Sequence, residues 1–295
     1  MSPRYQPAPA SGRASARTPA MRTRSPIRPL TAGARRVPSL WEVASRGGIP
    51  ALTVNWWTTY PAEESGGTIL GNHLFFAARA GSSLAGEGWP PEAAERAARL
   101  APQLAPEPGS LERLVVDARG LDDFALAAFR DAWRRESPRL ALLYMPGPDI
   151  LSSALADPVR GAADRVALAA ALTEETAKLR AFLLDPELAP APDLLVFVLD
   201  AGRREGGGVV RLSGPLARAG AEATLAPADL APTVLAVLGV PASREIVGRV
   251  RSELLVAGAA SGETVASWGR RRARSELSVD PKAYVENLRS LGYLR

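Results

Sequence analysis

From about residue 37 onward the apolar and polar positions alternate between short hydrophobic runs and longer amphipathic stretches. Pro38-Ser39 followed by Leu40-Trp41-Glu42-Val43-Ala44 predicts a short helix capped by Ser39 and ended by Gly47-Gly48. Residues 49–56 alternate as a strand and close on a turn at Pro61, and residues 92–100 predict a helix with proline at its first turn. Leu114-Val115-Val116 is a short apolar run, and residues 122–133 have a helical period. Residues 140–145 read as a buried strand ending at Pro146-Gly147-Pro148-Asp149. A long Ala-rich helix follows from about residue 160 to about residue 184, with Glu174 and Lys178 spaced as an i, i+4 pair. Residues 193–200 are apolar on both faces, as a central parallel strand is. Residues 209–213 predict a further strand, residues 229–238 a helix closed by Gly239 and Pro241, and residues 282–295 an amphipathic terminal helix.

Strands alternating with helices predict an α/β fold with a mostly parallel central sheet flanked by helices. Ligands of such sheets sit beyond the carboxyl ends of the strands. Two predicted strands lead into an aspartate there, one into Asp149 and the other into Asp200. Aspartate is also an ordinary turn and cap residue after a strand, so position alone leaves both roles open.

Composition divides the chain in two. Residues 1–36 are rich in Pro, Ser and Ala and hold eight arginines with no acid; the whole chain carries +5, so the remainder stands at −3. The basic pI therefore belongs to the tail, which is expected to be disordered because it has little apolar surface to bury. Such a tail attracts phosphate polymers and anionic surfaces weakly and without specificity. Residues 37–295, at 46% hydrophobic for the chain as a whole, are ample for an α/β domain. The absence of cysteine excludes disulfides, Cys-ligated zinc and thiol catalysis. Neither a signal peptide nor an apolar run long enough to span a bilayer is visible, which makes the cytoplasm the default expectation.

Four segments taken in order resemble the type I phosphodiesterase/nucleotide pyrophosphatase branch of the alkaline phosphatase superfamily. The first joins Val37-Pro38-Ser39-Leu40-Trp41-Glu42-Val43 to Asn55-Trp56-Trp57-Thr58-Thr59-Tyr60-Pro61-Ala62-Glu63. The second, Tyr144 to Asp149, is similar to the strand leading into Asp-x-x-x-His. The third, Leu195 to Gly202, is similar to the strand ending Ser-Asp-His-Gly. The fourth is Asp229-Leu230-Ala231-Pro232-Thr233-Val234-Leu235-Ala236-Val237-Leu238-Gly239-Val240-Pro241 with Gly248. The resemblance implies an alkaline-phosphatase-like domain, incomplete at its amino terminus, whose active relatives use two metals and a Thr or Ser nucleophile to cleave phosphoric esters.

The chain departs from that pattern where the chemistry lies. Asp149 and Asp200 stand at metal-ligand positions by resemblance, but the matching imidazoles are Ser153 and Ala201, and residues 205–210 supply none. The family pattern needs three histidines and this chain has one, His73, at a position without a counterpart; a loop or half-buried structural role suits it. The segment that would carry the nucleophile and an early Asp is replaced by the basic tail. No cofactor is expected, or at most a weakly held divalent ion where active relatives hold zinc. Trp56, Trp57 and Thr58 line a possible cleft, although the tryptophans equally suit a core position beneath the sheet. The expected function is that of a superfamily member that has lost hydrolysis and has no catalytic residues. One alternative is a fragment of an active metal-dependent phosphoric-ester hydrolase. Another is a non-enzymatic protein that binds nucleic acid or anionic surfaces through its tail.

Overall fold

The computed structural model describes residues 30–102, 110–188, 191–199 and 207–271, with Val285 beyond them. In chain order the helices and strands are α1 (Leu40–Arg46), β1 (Ala51–Val54), β2 (Thr68–Leu70), α2 (Leu74–Arg79), β3 (Gly88–Trp89), α3 (Pro91–Ala98), α4 (Leu111–Glu136), β4 (Leu140–Leu143) and α5 (Gly147–Leu155). They continue with α6 (Ala162–Leu183), β5 (Leu195–Leu199), β6 (Val209–Ser213), α7 (Leu230–Val237), β7 (Ala242–Ser243) and β8 (Thr264–Val265).

The fold is α/β, with a mixed sheet of mostly parallel strands flanked by helices. Strand order is β3-β2-β1-β4; β1 pairs in parallel with both β2 and β4, and β3 closes the edge antiparallel to β2. Alternation along β1 feeds two cores. Leu52 and Val54 join Leu70, Phe75, Phe124, Phe129, Ile150 and Leu168 on the face covered by α2 to α6. Ala51 joins Trp41, Val43, Ile69, Leu142 and Leu235 on the face covered by α1 and α7. Every residue of β1 is buried, as expected of a central parallel strand between two helical layers.

Local sequence explains most element boundaries. The Ser39 hydroxyl accepts from the Glu42 N–H while the Glu42 carboxylate accepts from the Ser39 N–H, a reciprocal cap that starts α1. Pro91 opens α3, and Ser110 caps α4 by accepting from the Arg113 N–H. The run at Leu114 belongs to α4, a single 26-residue helix whose buried stripe continues through Leu121, Ala125, Phe129 and Ala132.

Several expectations are corrected. The strand expected at 193–200 appears as β5 at Leu195–Leu199 and does not enter the central sheet: it pairs antiparallel with β6 in a separate two-stranded ribbon, and Val198, Leu199 and Val209 are 46%, 54% and 62% exposed. An apolar run specifies a demand for burial, not the partner that meets it. Glu174 does not pair with Lys178; it meets Arg119, while Lys178 meets Glu175 and Asp123. Residues 31–36, grouped in the sequence with the tail, pack on the body. Ala32 is buried with its N–H donating to the Tyr60 carbonyl, and Arg35 bonds Glu42 and Glu63. Arg271 also grips Glu63 and donates to the Arg35 carbonyl at 3.0 Å, joining both ends of the described body. The tail up to residue 29 and the helix expected at 282–295, Val285 apart, lie outside the described residues.

Candidate functional site

Because β1, β2 and β4 run parallel, their carboxyl ends open on the same edge of the sheet, and the loops leaving them meet there. Asn55 ties the three ends together. Its N–H donates to the Leu70 carbonyl at 2.9 Å and its side-chain amide donates to the Tyr144 carbonyl at 3.1 Å. It holds φ at 58°, a left-handed conformation that asparagine tolerates better than most residues.

The turn that follows is tightly wound. Thr58 sits at φ 60°, which is costly for a β-branched residue and persists because its neighbours hold it there. Its hydroxyl donates to the Trp57 carbonyl at 2.6 Å. The Thr59 hydroxyl donates to the Trp56 carbonyl at 2.6 Å and accepts from the Asn72 N–H at 3.1 Å. Both hydroxyl protons are thus committed to backbone carbonyls, an arrangement that shapes the turn and suits neither oxygen for attack. Trp56 and Trp57 flank the Tyr144 ring at centroid distances of 6.3 and 6.1 Å. Both are half-buried. Trp56 also packs on the core beneath α1 and α7, so it serves the core and the surface together.

The one histidine lies at this same edge, immediately before α2 at the end of β2. Its ring stacks on Tyr60 at 4.8 Å, and its Nδ1 is 2.6 Å from Oε1 of Glu87. Glu87 is 1% exposed, and its Oε2 has no hydrogen-bond partner among the described residues. Burial raises the Glu87 carboxyl above the ordinary glutamate value, an effect that His73 partly offsets. His73 is half-buried, as expected, and has a specific acidic partner. Sequence reasoning missed Glu87; the signal was an acid between two glycines, Gly86 and Gly88, where the chain must pass close to another strand. Gly71 confirms the tightness, since a Cβ there would lie 2.8 Å from the Glu87 carbonyl oxygen.

Asp149 sits in the first turn of α5, partly exposed, and Ser153 stands one turn further along, exposed. Asp200 lies outside the described residues. The strand that leads to it belongs to the β5–β6 ribbon, so the two strands expected to deliver the aspartates are not neighbours in one sheet. Among the described residues no group of three or more carboxylate or imidazole side chains converges as a metal would require. The chain holds one imidazole, and that ring is engaged with Glu87.

Asp229, from the fourth resembling segment, has a structural role. It is 5% exposed and accepts from the N–H groups of Ala226 and Arg249 and from Nη1 of Arg251 at 2.9 Å. These donors lower its carboxyl to about 2. Compared with family models, curated proteins and solved structures, the chain matches none.

Proposed function

We propose that this protein is related to the alkaline phosphatase superfamily of type I phosphodiesterases, has lost phosphoric-ester hydrolysis, and keeps the carboxyl end of its sheet as a binding surface. The observation that carries the proposal is the commitment of its only imidazole. With Nδ1 at 2.6 Å from a buried carboxylate and its face against Tyr60, His73 is built into the scaffold of the loop edge. The first turns of α5 carry Asp149 and Ser153 and no imidazole, a donor set that suits magnesium or calcium better than zinc. Trp56, Trp57 and Tyr144 supply aromatic faces at the same edge, suited to holding a flat or apolar group without transforming it.

The test is hydrolysis of bis-p-nitrophenyl phosphate by the purified chain with zinc, manganese or magnesium, together with the metal content of the protein. No turnover above background is expected. Turnover that Asp149→Ala abolishes would overturn the proposal.

A second reading, a fragment of an active hydrolase, is favoured by the β5–β6 ribbon. Among the described residues β5 has one strand partner, and it exposes Val198 and Leu199, as if a further strand were to be supplied. An upstream reading frame that encodes an Asp and a Thr or Ser turn would support it, and the lack of such a frame would count against it.

A further inference from the structure

Behind the first turn of α5, on the side covered by α4 and α6, two carboxyl groups meet in the dry interior. Asp122 of α4 and Glu175 of α6 are both 0% exposed. Asp122 Oδ1 accepts from the Gly147 N–H at 3.0 Å, and Glu175 Oε1 accepts from Lys178 Nζ at 2.8 Å. The remaining oxygens, Asp122 Oδ2 and Glu175 Oε2, find no donor among the described groups. Gly147 makes the arrangement possible, because a Cβ there would lie 2.3 Å from Asp122 Oδ2.

We propose that Asp122 keeps its proton at neutral pH and donates it to Glu175, fastening α4 to α6 behind the amino-terminal turn of α5, and that this contact loosens when the proton is lost. Two ionised carboxylates side by side at 0% exposure would repel without water to screen them, whereas one carboxyl O–H donating to the other carboxylate satisfies both orphan oxygens. The charged neighbours leave room for one negative charge. From α6, Lys178 neutralises Glu175 and also bonds Asp123 of α4 at 2.6 Å. Glu174 is taken by Arg119, Asp185 beyond α6 by Arg130, and Asp117 of α4 by Arg79 and Arg113. From α5 comes the Gly147 N–H, with Asp149 the acid of that turn. Burial raises the Asp122 carboxyl well above the ordinary aspartate value, and Glu175 raises it further, against the opposing pull of the Gly147 N–H and Lys178. A raised carboxyl contributes its full stability in acid and loses it as pH climbs through the raised value. On deprotonation the Oδ2–H bond of Asp122 breaks, the proton goes to solvent and the electron pair stays on the oxygen. Two charges then face each other beside α5.

Asp122→Asn isolates the effect, since its amide oxygen can accept from Gly147 and its NH2 can donate to Glu175, mimicking the protonated acid. Urea unfolding of the full chain would be followed from about pH 5 to about pH 9, where one linked proton changes the folding constant by at most about tenfold per pH unit. The wild type is expected to weaken with rising pH more steeply than Asp122→Asn. Infrared spectra at neutral pH should show a protonated-carboxyl C=O band that the variant lacks. Should Asp122→Asn not fold, Glu175→Gln, whose amide can donate to an ionised Asp122, should flatten the same limb. Equal slopes in wild type and variant, or no carboxyl band in the wild type, would overturn the proposal.

Discussion

Separating His73 from Glu87 is the most direct probe of the loop edge. The 2.6 Å contact is short enough to be charge-assisted, and Glu87 cannot turn to water because it is 1% exposed and its second oxygen lacks a donor among the described residues. A hydrogen bond to a charged group of this kind is worth about 1.5–3 kcal/mol, and the Tyr60 stack adds about 0.5–1.5 kcal/mol. His73→Ala removes both and leaves a buried carboxyl unpaired; Glu87→Gln keeps the stack and an acceptor for Nδ1. Urea unfolding of the two single variants and the double variant gives the coupling directly, expected at about 1–3 kcal/mol with His73→Ala the costlier single change. The pH dependence has a definite sign. His73 holds the Glu87 carboxyl down against burial, so removing the ring lets it rise further. His73→Ala should therefore lose stability with rising pH more steeply than wild type, and the double variant should lose that added steepness. A coupling within about 0.5 kcal/mol of zero, the usual scatter of independent sites, would refute the reasoning.

Two further outcomes follow from the same geometry. Gly248→Ala places a Cβ 1.8 Å from the Ala228 carbonyl oxygen, a backbone atom that cannot swing aside, so thermal melting should show a loss of about 3 kcal/mol or more. Asp229→Ala removes a carboxylate held at about 2, a group whose contribution is complete above the ordinary aspartate value and disappears as pH falls toward 2. An acid titration followed by circular dichroism should show the variant less stable at neutral pH and lacking that part of the wild-type acid limb.

Where a boundary depends on neighbouring residues, it was legible from the chain alone. Ser39 with Glu42, Pro91 and Gly239 each set a helix end through contacts within one turn, and the structure places them there. The alternation along β1 and the α/β order were legible for the same reason, since periodicity reports which faces demand burial. Trp56, Trp57 and Thr58 follow β1 at the carboxyl edge of the sheet, a position that comes directly from the predicted strand before them.

Only the tertiary structure decided which groups answer those demands. His73 and Glu87 lie 14 positions apart in sequence, and Asp122 and Glu175 lie 53 apart; no local pattern links either pair, and each forms because strands or helices bring distant positions into one dry space. The run at β5 demanded burial as clearly as β1 did, yet it received β6 in place of the central sheet. Lys178 had a suitable acid at Glu174 by spacing and chose Glu175 and Asp123, because α4 lies on that side of α6. Local chemistry writes helix ends and buried faces into a sequence. Pairing across the fold is settled by packing, where distance in space replaces distance along the chain.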